Sequence, residues 1–556
     1  MVTLPTVDGG VAAPAPPAKL VRAKDSLEDM SGMARALPPA PPEGKKGKKG
    51  KKGKGGGAAP AATASSGAAT GAEGLKNKGN ELLAAGRLDA AVAAYSEAIA
   101  LDGTNAIYFA NRSSAYIKQE SYGLAVKDAD MAIALDPDYV KGYYRRGTAL
   151  LASGAPEDAL PDFEEALRRC PGSKEAKMHV QACQTILSGA GSGEEPDEAE
   201  NPLHSAEASA FFRAQYNPAS VAVEASYGGP RWEGCEAHGS RPPKAFVEEL
   251  VTHLRAEKKL HKRYVLGLLL GVRDIMSRDR SLIDISVPDG PDGHFTVCGD
   301  THGQFYDLLN IFDINGPPSV ENPYLFNGDF VDRGSFSVEV ALVLFAYKLL
   351  YPTGLFLTRG NHESRTCNAM YGFEGEVLHK YDRPVMTLFT EVFNQLPLAA
   401  VIDKKVIVVH GGLFDRDGVT LDDIRNIERH QEPPVEGMMC DLLWADPKIL
   451  PGRSPSKRGV SCMFGPDVTS RFLDSNGLEL LVRSHEVKPE GYEVMHDGKC
   501  ITLFSAPNYC DQMGNKGAFI RFAKDLKPNF TSFDAVPHPP IRPMAYQSSS
   551  FSMFGF

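Results

Sequence analysis

Five short apolar runs in the C-terminal half of this chain each end in a compact polar cluster, and that pairing constrains the fold more than any other feature. Phe295-Thr296-Val297-Cys298 leads into Gly299-Asp300-Thr301-His302-Gly303, and Tyr324-Leu325-Phe326 leads into the segment from Gly328 to Gly334. Leu355-Phe356-Leu357 precedes Arg359-Gly360-Asn361-His362-Glu363, and Val406-Ile407-Val408-Val409 precedes His410-Gly411-Gly412. The fifth run, Leu478 to Val482, precedes Arg483-Ser484-His485. Runs of this length and composition read as buried strands of an α/β sheet. In such sheets functional groups gather beyond the carboxyl ends of the strands. The pattern therefore predicts one rim carrying Asp300, His302, Asp329, Asn361, His410 and His485. A single Gly-Asp or His-Gly-Gly is ordinary turn chemistry. Five such clusters in order, each behind a strand-like run, are not.

The donor types on that rim are carboxylate, imidazole and amide, without clustered thiolates. They suit two divalent cations, manganese, iron or zinc, and do not choose among them. Asp300 and His302 are close enough in sequence to share one ion, and the two oxygens of Asp329 can bridge a pair. Two ions roughly 3.5–4 Å apart clamp the attacking and leaving oxygens of an in-line displacement and acidify a water. His362 is the candidate general acid, with Asp332 orienting its imidazole. Arg333 and Arg458 offer planar, always-charged forks for phosphate oxygens. His294, His379, His430, His496 and His538 lack this setting and read as structural or surface residues. No cysteine-nucleophile loop is visible, because Cys367, Cys462 and Cys510 have no arginine six residues on.

The N-terminal half carries a 34-residue period. Gly79, Ser113 and Gly147 are in phase, as are Ala91, Ala125 and Ala159, and Ala98, Ala132 and Ala166. Small residues at fixed offsets let paired helices pack closely, and stacking buries what one repeat cannot. The period predicts three helical repeats over about 74–171, with Ser173 to Leu187 as a capping helix. Lys76 and Asn80 are one turn apart, as are Lys141 and Arg145, and Asn111 lies one period before Arg145. These five donors line one concave face, which suits carboxylates, above all the terminal carboxylate of an extended peptide.

The three glycine-flanked segments around Asp300, Asp329 and Asn361 resemble the signatures of the phosphoprotein phosphatase family. The resemblance runs from about Gly228 to Tyr546 and includes Leu442 to Pro447, Arg458 to Ser461 and Ser505 to Tyr509. It implies two packed mixed sheets flanked by helices, and direct hydrolysis of phosphoserine or phosphothreonine by water. It assigns Asp300, His302 and Asp329 to one metal, and Asp329, Asn361, His410 and His485 to the other. It makes His362 with Asp332 the general acid, and places Arg333, Arg458, Tyr371, Tyr509 and Asn361 around the phosphoryl group. The repeats resemble tetratricopeptide repeats, and their five donors resemble the clamp that holds tails ending in Glu-Glu-Val-Asp, as in heat shock protein 90-type chaperones. One subclass of the family joins both parts. That likeness implies a catalytic domain restrained by its repeats, with Glu120 as a docking contact and chaperone tails, or certain lipids, as release. Relatives tend to carry a leucine-containing helical tail that helps this lock. Here the last residues, Gln547 to Phe556, are serine-rich, which implies a weaker or differently built restraint.

The whole chain, 556 residues with net charge −10, is thus expected to be multidomain. An all-α repeat solenoid precedes an α/β metallophosphoesterase domain. Expected boundaries are a disordered Ala/Pro/Gly/Lys-rich arm at 1–72, repeats at 73–187, a linker at 188–226, a catalytic domain at 227–546 and a tail at 547–556. The seven lysines from Lys45 to Lys54 read first as a solvated flexible arm, with a nuclear-entry signal or an anionic-surface tether as the alternatives. The modest charge gives no case for nucleic-acid binding. No apolar run reaches the roughly 18 residues that span a membrane, and Val265 to Leu270 reads as part of a short amphipathic segment. Nine scattered cysteines predict a reducing compartment. The expected setting is cytoplasmic and nuclear, and the expected state a monomer. Two other functions stay open: a chaperone-bound scaffold with a vestigial site, and a metallophosphoesterase of small phosphate esters. The intact donor set argues against the first. Arg458, the Ser505 to Cys510 segment and the fused repeats argue against the second.

Overall fold

In a computed structural model, which describes residues 63–187 and 206–547, the 34-residue period becomes six antiparallel helices. They are α1 (Thr63–Ala84), α2 (Leu88–Leu101), α3 (Ala106–Lys118), α4 (Tyr122–Leu135), α5 (Val140–Ala152) and α6 (Pro156–Arg169), capped by α7 (Lys174–Leu187). The in-phase alanines 91, 98, 125, 132, 159 and 166 are all fully buried. A Cβ on Gly79 would lie 2.5 Å from the Tyr95 ring, so the helix pair closes only over glycine there. A second ladder runs beside the alanines. The Arg112 guanidinium grips Asp128 at 2.7 and 2.8 Å, and one period later Arg146 grips Asp162 at 2.8 and 2.7 Å. These bidentate pairs tie the first helix of a repeat to its second.

Two expected boundaries move. The arm was expected to reach residue 72, but α1 begins at Thr63. The linker was expected to reach residue 226, but α8 (Ala206–Gln215) already belongs to the catalytic core. Phe212 is buried there, and Arg213 Nε donates to Asp274 at 2.9 Å. An amphipathic pattern that short gives little signal before its partner surface is known. The arm up to residue 62, the segment 188–205 and the tail 548–556 lie outside the described residues.

The catalytic part is layered. Helices α9 (Lys244–Arg255) and α10 (Lys262–Met276) precede β1 (Leu282–Ile285) and β2 (Phe295–Cys298). Then come α11 (Phe305–Asn315), β3 (Tyr324–Asn327), α12 (Ser337–Leu350) and β4 (Leu355–Thr358). Helices α13 (Arg365–Tyr371), α14 (Phe373–Lys380) and α15 (Arg383–Asn394) lead to β5 (Ala399–Ile402) and β6 (Val406–Val409). Helices α16 (Leu421–Arg425), α17 (Met438–Trp444) and α18 (Pro466–Asn476) follow, with the strands β7 (Asp446–Pro447), β8 (Arg453–Pro455), β9 (Cys462–Phe464), β10 (Leu480–Arg483), β11 (Tyr492–Met495), β12 (Cys500–Leu503), β13 (Gly517–Phe522) and β14 (Pro528–Phe533). One mixed sheet has the order β1-β5-β6-β10-β12-β11, the other β14-β13-β2-β3-β4, and a small sheet β7-β9-β8 stands apart.

Val297, Leu325, Val408, Val482, Ile501 and Ile520 meet between the two large sheets. Helices cover the outer faces. Helix α10 is buried almost all round, not amphipathic as its pattern suggested, because α12 and α15 flank it. Among the described residues no helix is long and apolar enough to cross a membrane. All nine cysteines are free thiols. Register fixes the rim. Cys298 pairs with Phe326 and Phe326 with Leu357, so the parallel strands β2, β3 and β4 end level. Val408 pairs with Val482 in the facing sheet, which levels β6 with β10.

Candidate active site

The level strand ends bring the six predicted donors together. His302 Nε2 stands 3.7 Å from carboxylate oxygens of both Asp300 and Asp329. His410 Nε2 lies 3.1 Å from Asp329, 2.9 Å from the Asn361 amide oxygen and 3.2 Å from His485 Nδ1. Backbone carbonyls orient two of the rings: His302 Nδ1 bonds Val331 O at 3.0 Å and His410 Nδ1 bonds Asn327 O at 2.9 Å. That leaves the Nε2 lone pairs facing the carboxylates. Burial pushes Asp300 well above the usual carboxyl range, Asp329 up to about 8 and His302 down to about 3. Buried carboxylates and neutral imidazoles at such separations are the donor set of a cation pair, and a bound charge reverses the carboxyl shifts. Among the described residues, two groups have ligating atoms within 4.8 Å of one another: His302, Asp329 and His362, and Asp329, His410 and His485. Asp329 is common to both.

His362 enters the first group by distance alone. Its Nδ1 is committed to Asp332 Oδ2 at 2.9 Å, leaving Nε2 for the rim. Asp332 is fully buried and accepts further bonds from Asn368 Nδ2 at 3.1 Å and the Phe373 N–H at 3.0 Å. Burial raises the Asp332 carboxyl, and the Phe373 and Asn368 donors oppose the rise. Several of these residues sit in the left-handed region: His302 (φ 39), Asp329 (φ 47), Asp332 (φ 67), Arg333 (φ 68) and His485 (φ 70). Non-glycine residues hold that conformation only where the surroundings enforce it. One enforcing contact is Gly360, where a Cβ would lie 2.1 Å from Asp329 Oδ1.

The sequence reading assigned no role to two supporting side chains. Glu363 accepts the N–H groups of Asp329 (2.8 Å), Phe330 (3.0 Å) and Gly360 (2.8 Å), welding two rim turns together. Asn327 donates to Val409 O at 2.7 Å and Ser484 Oγ at 2.9 Å, tying β3 across to the other sheet. Glu363 lies inside a recognised cluster, which was the available signal. Asn327 carried none.

At the mouth of the rim stand four of the five predicted phosphate-side residues, Arg333, Arg458, Tyr371 and Tyr509, with the fifth, Asn361, among the metal donors. Arg458 Nε donates to Asp446 at 2.7 Å, and Arg483 reaches the same carboxylate at 2.9 Å. Burial would raise Asp446, but Arg458 and Arg483 hold its carboxyl below the usual range. The Arg333 guanidinium lies 3.9 Å above the Tyr371 ring. Tyr371 stands 5.1 Å from His362, and Tyr509 stands 5.1 Å from His302, between ring centres.

Both arginines are already engaged by the repeat domain. Glu120, in the turn between α3 and α4 and itself left-handed (φ 57), accepts from Arg333 with one oxygen and from Arg458 at 3.1 Å with the other. Burial would raise its carboxyl, yet Arg333 and Arg458 together hold it below the usual range. Around it, Tyr122 and Tyr371 share a hydroxyl hydrogen bond of 2.7 Å, and Gly123 N–H donates to Lys457 O at 3.0 Å. A Cβ on Gly123 would lie 2.8 Å from the Gly459 backbone.

Of the five groove residues, Asn80, Asn111 and Arg145 meet on one face around Tyr95. Asn111 donates to Asn80 Oδ1 at 3.0 Å, and the Tyr95 hydroxyl donates to the same oxygen at 2.7 Å. Lys76 pairs with Glu73. No ion pair among the described residues reaches Lys141 or Arg145. Burial lowers Arg145, with Tyr144, Tyr139 and Tyr95 opposing. Lys118 joins this face and was missed: burial and then Arg145 push its ammonium down. It lies seven residues after Asn111, two turns along one side of α3.

Two packed mixed sheets with a bridged donor set at their strand ends define a metallophosphoesterase. A family model described as calcineurin-like phosphoesterase matches residues 293–489, one described as tetratricopeptide repeat matches 76–140 and 111–174, and one described as PPP5 TPR repeat region matches 203–284. Serine/threonine-protein phosphatase 5 of Homo sapiens is 49% identical over 478 residues, covering 86% of this chain and 93% of its own. That of Arabidopsis thaliana is 50% identical over 526 residues, covering 87% and 97%. A solved Saccharomyces cerevisiae protein serine/threonine phosphatase, described as similar to human phosphatase PP5, is 42% identical with a TM-score of 0.53. It covers 55% of this chain and 100% of its own. The chain belongs to the serine/threonine-protein phosphatase 5 family, metallophosphoesterase-fold protein phosphatases fused to tetratricopeptide repeats.

Proposed function

We propose that this phosphatase is held off by Glu120 and released when a carboxylate-ended peptide binds the repeat groove. The observation that carries the reading is the double engagement of Glu120 by Arg333 and Arg458. A carboxylate and a phosphoryl group offer similar oxygens to a guanidinium fork, so Glu120 and a phosphorylated side chain compete for the same donors.

For the chemistry, Asp300, His302 and Asp329 would hold one divalent ion, and Asp329, Asn361, His410 and His485 a second. Manganese, iron and zinc all suit these donors. When bound, the ions supply positive charge at the phosphoryl oxygens and an acidified water. Arg333 and Arg458 orient the phosphoryl group, with Asn361 beside them and Tyr371 and Tyr509 as walls. His362, its Nδ1 held by Asp332, presents Nε2 to the leaving seryl or threonyl oxygen and delivers the proton there.

Lys76, Asn80, Asn111, Lys118, Lys141 and Arg145 form the receptor for the peptide carboxylates. A heat shock protein 90-type chaperone ending in Glu-Glu-Val-Asp has the matching chemistry. Groove and plug are joined by one helix: α3 carries Asn111 and Lys118, and Glu120 follows its end. A tail that reorients α3 therefore moves Glu120.

The test is turnover of a phosphoserine peptide by the full chain with manganese, with and without a peptide ending in Glu-Glu-Val-Asp. Slow turnover that the peptide raises is expected. Fast turnover indifferent to the peptide rejects the restraint. No turnover in either condition favours a scaffold with a vestigial site.

A further inference from the structure

The Asp332-Arg333 turn is gripped from two sides. On one side the end of α13 holds it: the Arg333 N–H donates to Tyr371 O at 3.0 Å, and the guanidinium stacks on the Tyr371 ring. On the other side lies a strap from the far end of the described chain, Arg542 to Gln547. The Met544 N–H donates to Arg333 O at 2.9 Å. Ser335 Oγ donates to Arg542 O at 2.7 Å and accepts the Ala545 N–H at 3.0 Å. The strap has anchors of its own. Met544 is buried against the Gly372 corner, and Gln547 Nε2 donates to Met370 O at 2.6 Å. The Tyr546 ring packs 4.8 Å from His379 and receives the Lys380 ammonium at 5.5 Å. Helix α14 is notched to admit it: a Cβ on Gly375 would lie 1.8 Å from Tyr546 O.

We infer that Arg542 to Gln547 is a positioning strap for the phosphate-binding arginine. It holds Arg333 in the left-handed backbone conformation that aims the guanidinium into the cleft. Two consecutive non-glycine residues in that region relax unless their neighbours over-determine them. The Met544 N–H and the Ser335 bridge supply the restraint that Tyr371 alone does not, because Tyr371 holds the N–H and the guanidinium of Arg333 but not its carbonyl. The strap touches no reacting atom and acts through Arg333. The inference rests on the reading that Arg333 holds phosphoryl oxygens.

The test uses the full chain carrying Glu120→Gln, so that the plug does not hide the effect. Inorganic phosphate serves as competitive inhibitor against a phosphoserine peptide. Tyr546→Ala removes the ring anchor, and Gly375→Ala pushes the strap off α14 while improving that helix's propensity. Tyr546→Phe keeps the ring. The expected result is a phosphate inhibition constant and KM raised roughly 10-fold with a lowered kcat, as a misaimed guanidinium predicts, and recovery in Tyr546→Phe. A lower melting temperature with unchanged phosphate inhibition in both variants would mean a brace only and overturns the inference. Gly375→Ala decides alone if Tyr546→Ala does not fold. Arg333→Ala is the control for the underlying reading and is expected to weaken phosphate by roughly 100-fold. If Arg333→Ala leaves phosphate inhibition unchanged, the phosphate role of Arg333 falls as well. If only the strap variants are silent, the strap inference falls alone.

Discussion

The molecule has two sites built to hold anions, and they stand in opposite states. In the catalytic cleft Arg333 and Arg458 are buried, and their charges are taken up by Asp446, Glu120 and the Tyr371 ring. In the repeat groove Lys141 is exposed, and Arg145 is half-buried against tyrosines. The difference follows from burial. A buried, dry guanidinium without a counter-charge costs several kcal/mol, about 3–5 when one partner of a buried pair is lost. Exposed Lys141 carries no such cost, whereas Arg145 bears part of it, because burial lowers its guanidinium and tyrosines oppose the shift. On the proposed reading, Glu120 answers the cleft arginines until a phosphoryl group replaces it, whereas the groove takes its anion from a separate peptide.

The largest expected effect separates the two sites by chemistry. His362→Asn and Asp332→Asn should each lower phosphopeptide turnover by at least roughly 100-fold, as loss of general acid catalysis does, while tail-peptide affinity stays at the parent value. Near-normal turnover in both would sink the assignment of the acid. Next comes the groove. Lys141→Ala combined with Arg145→Ala should weaken binding of a Glu-Glu-Val-Asp peptide by roughly 10-fold or more, measured by calorimetry, since each charge-assisted contact is worth about 1.5–3 kcal/mol. Unchanged affinity would place the tail elsewhere.

Smaller effects probe the link between the sites. Glu120→Gln removes the internal anion and should raise basal turnover several-fold, roughly to the tail-stimulated rate, because one charged hydrogen-bond partner of each arginine is lost. A variant as slow as the parent would mean that Glu120 is not the restraint. The smallest effect is steric. Gly123→Ala places a methyl 2.8 Å from the Gly459 backbone, where neither chain has a side chain to move. Basal turnover should rise by roughly 2- to 3-fold as the docked state loses about 0.5 kcal/mol, with the tail-stimulated rate unchanged. Parent-like basal turnover would show that the two backbones separate without cost.

Much of the cleft was legible in the chain because its information is local. A donor two residues from another donor, behind a strand that must be buried, has little freedom in where it ends. The alanine and glycine phases of the repeats were legible for the same reason, since each small residue answers to the helix beside it. Less local features were not. The level ends of β2, β3 and β4 depend on register. The supporting bonds of Asn327 depend on which strand of the other sheet lies opposite. Helix α8 shows its role only once the surface that covers Phe212 exists.

The sequence by itself determined the classes of atoms available: the nitrogen and oxygen donors, the paired arginines, the concave row of amides and cations, and the spacing that puts each on a strand end or helix face. Only the tertiary structure decided which charge answers which. Glu120 meets Arg333 across 213 residues and Arg458 across 338, and the strap meets Arg333 from the far end of the described chain. The reason is physical. Periodicity and turn chemistry act over a few residues, whereas a buried charge takes its partner from whatever the packed layers bring within reach, at any separation along the chain.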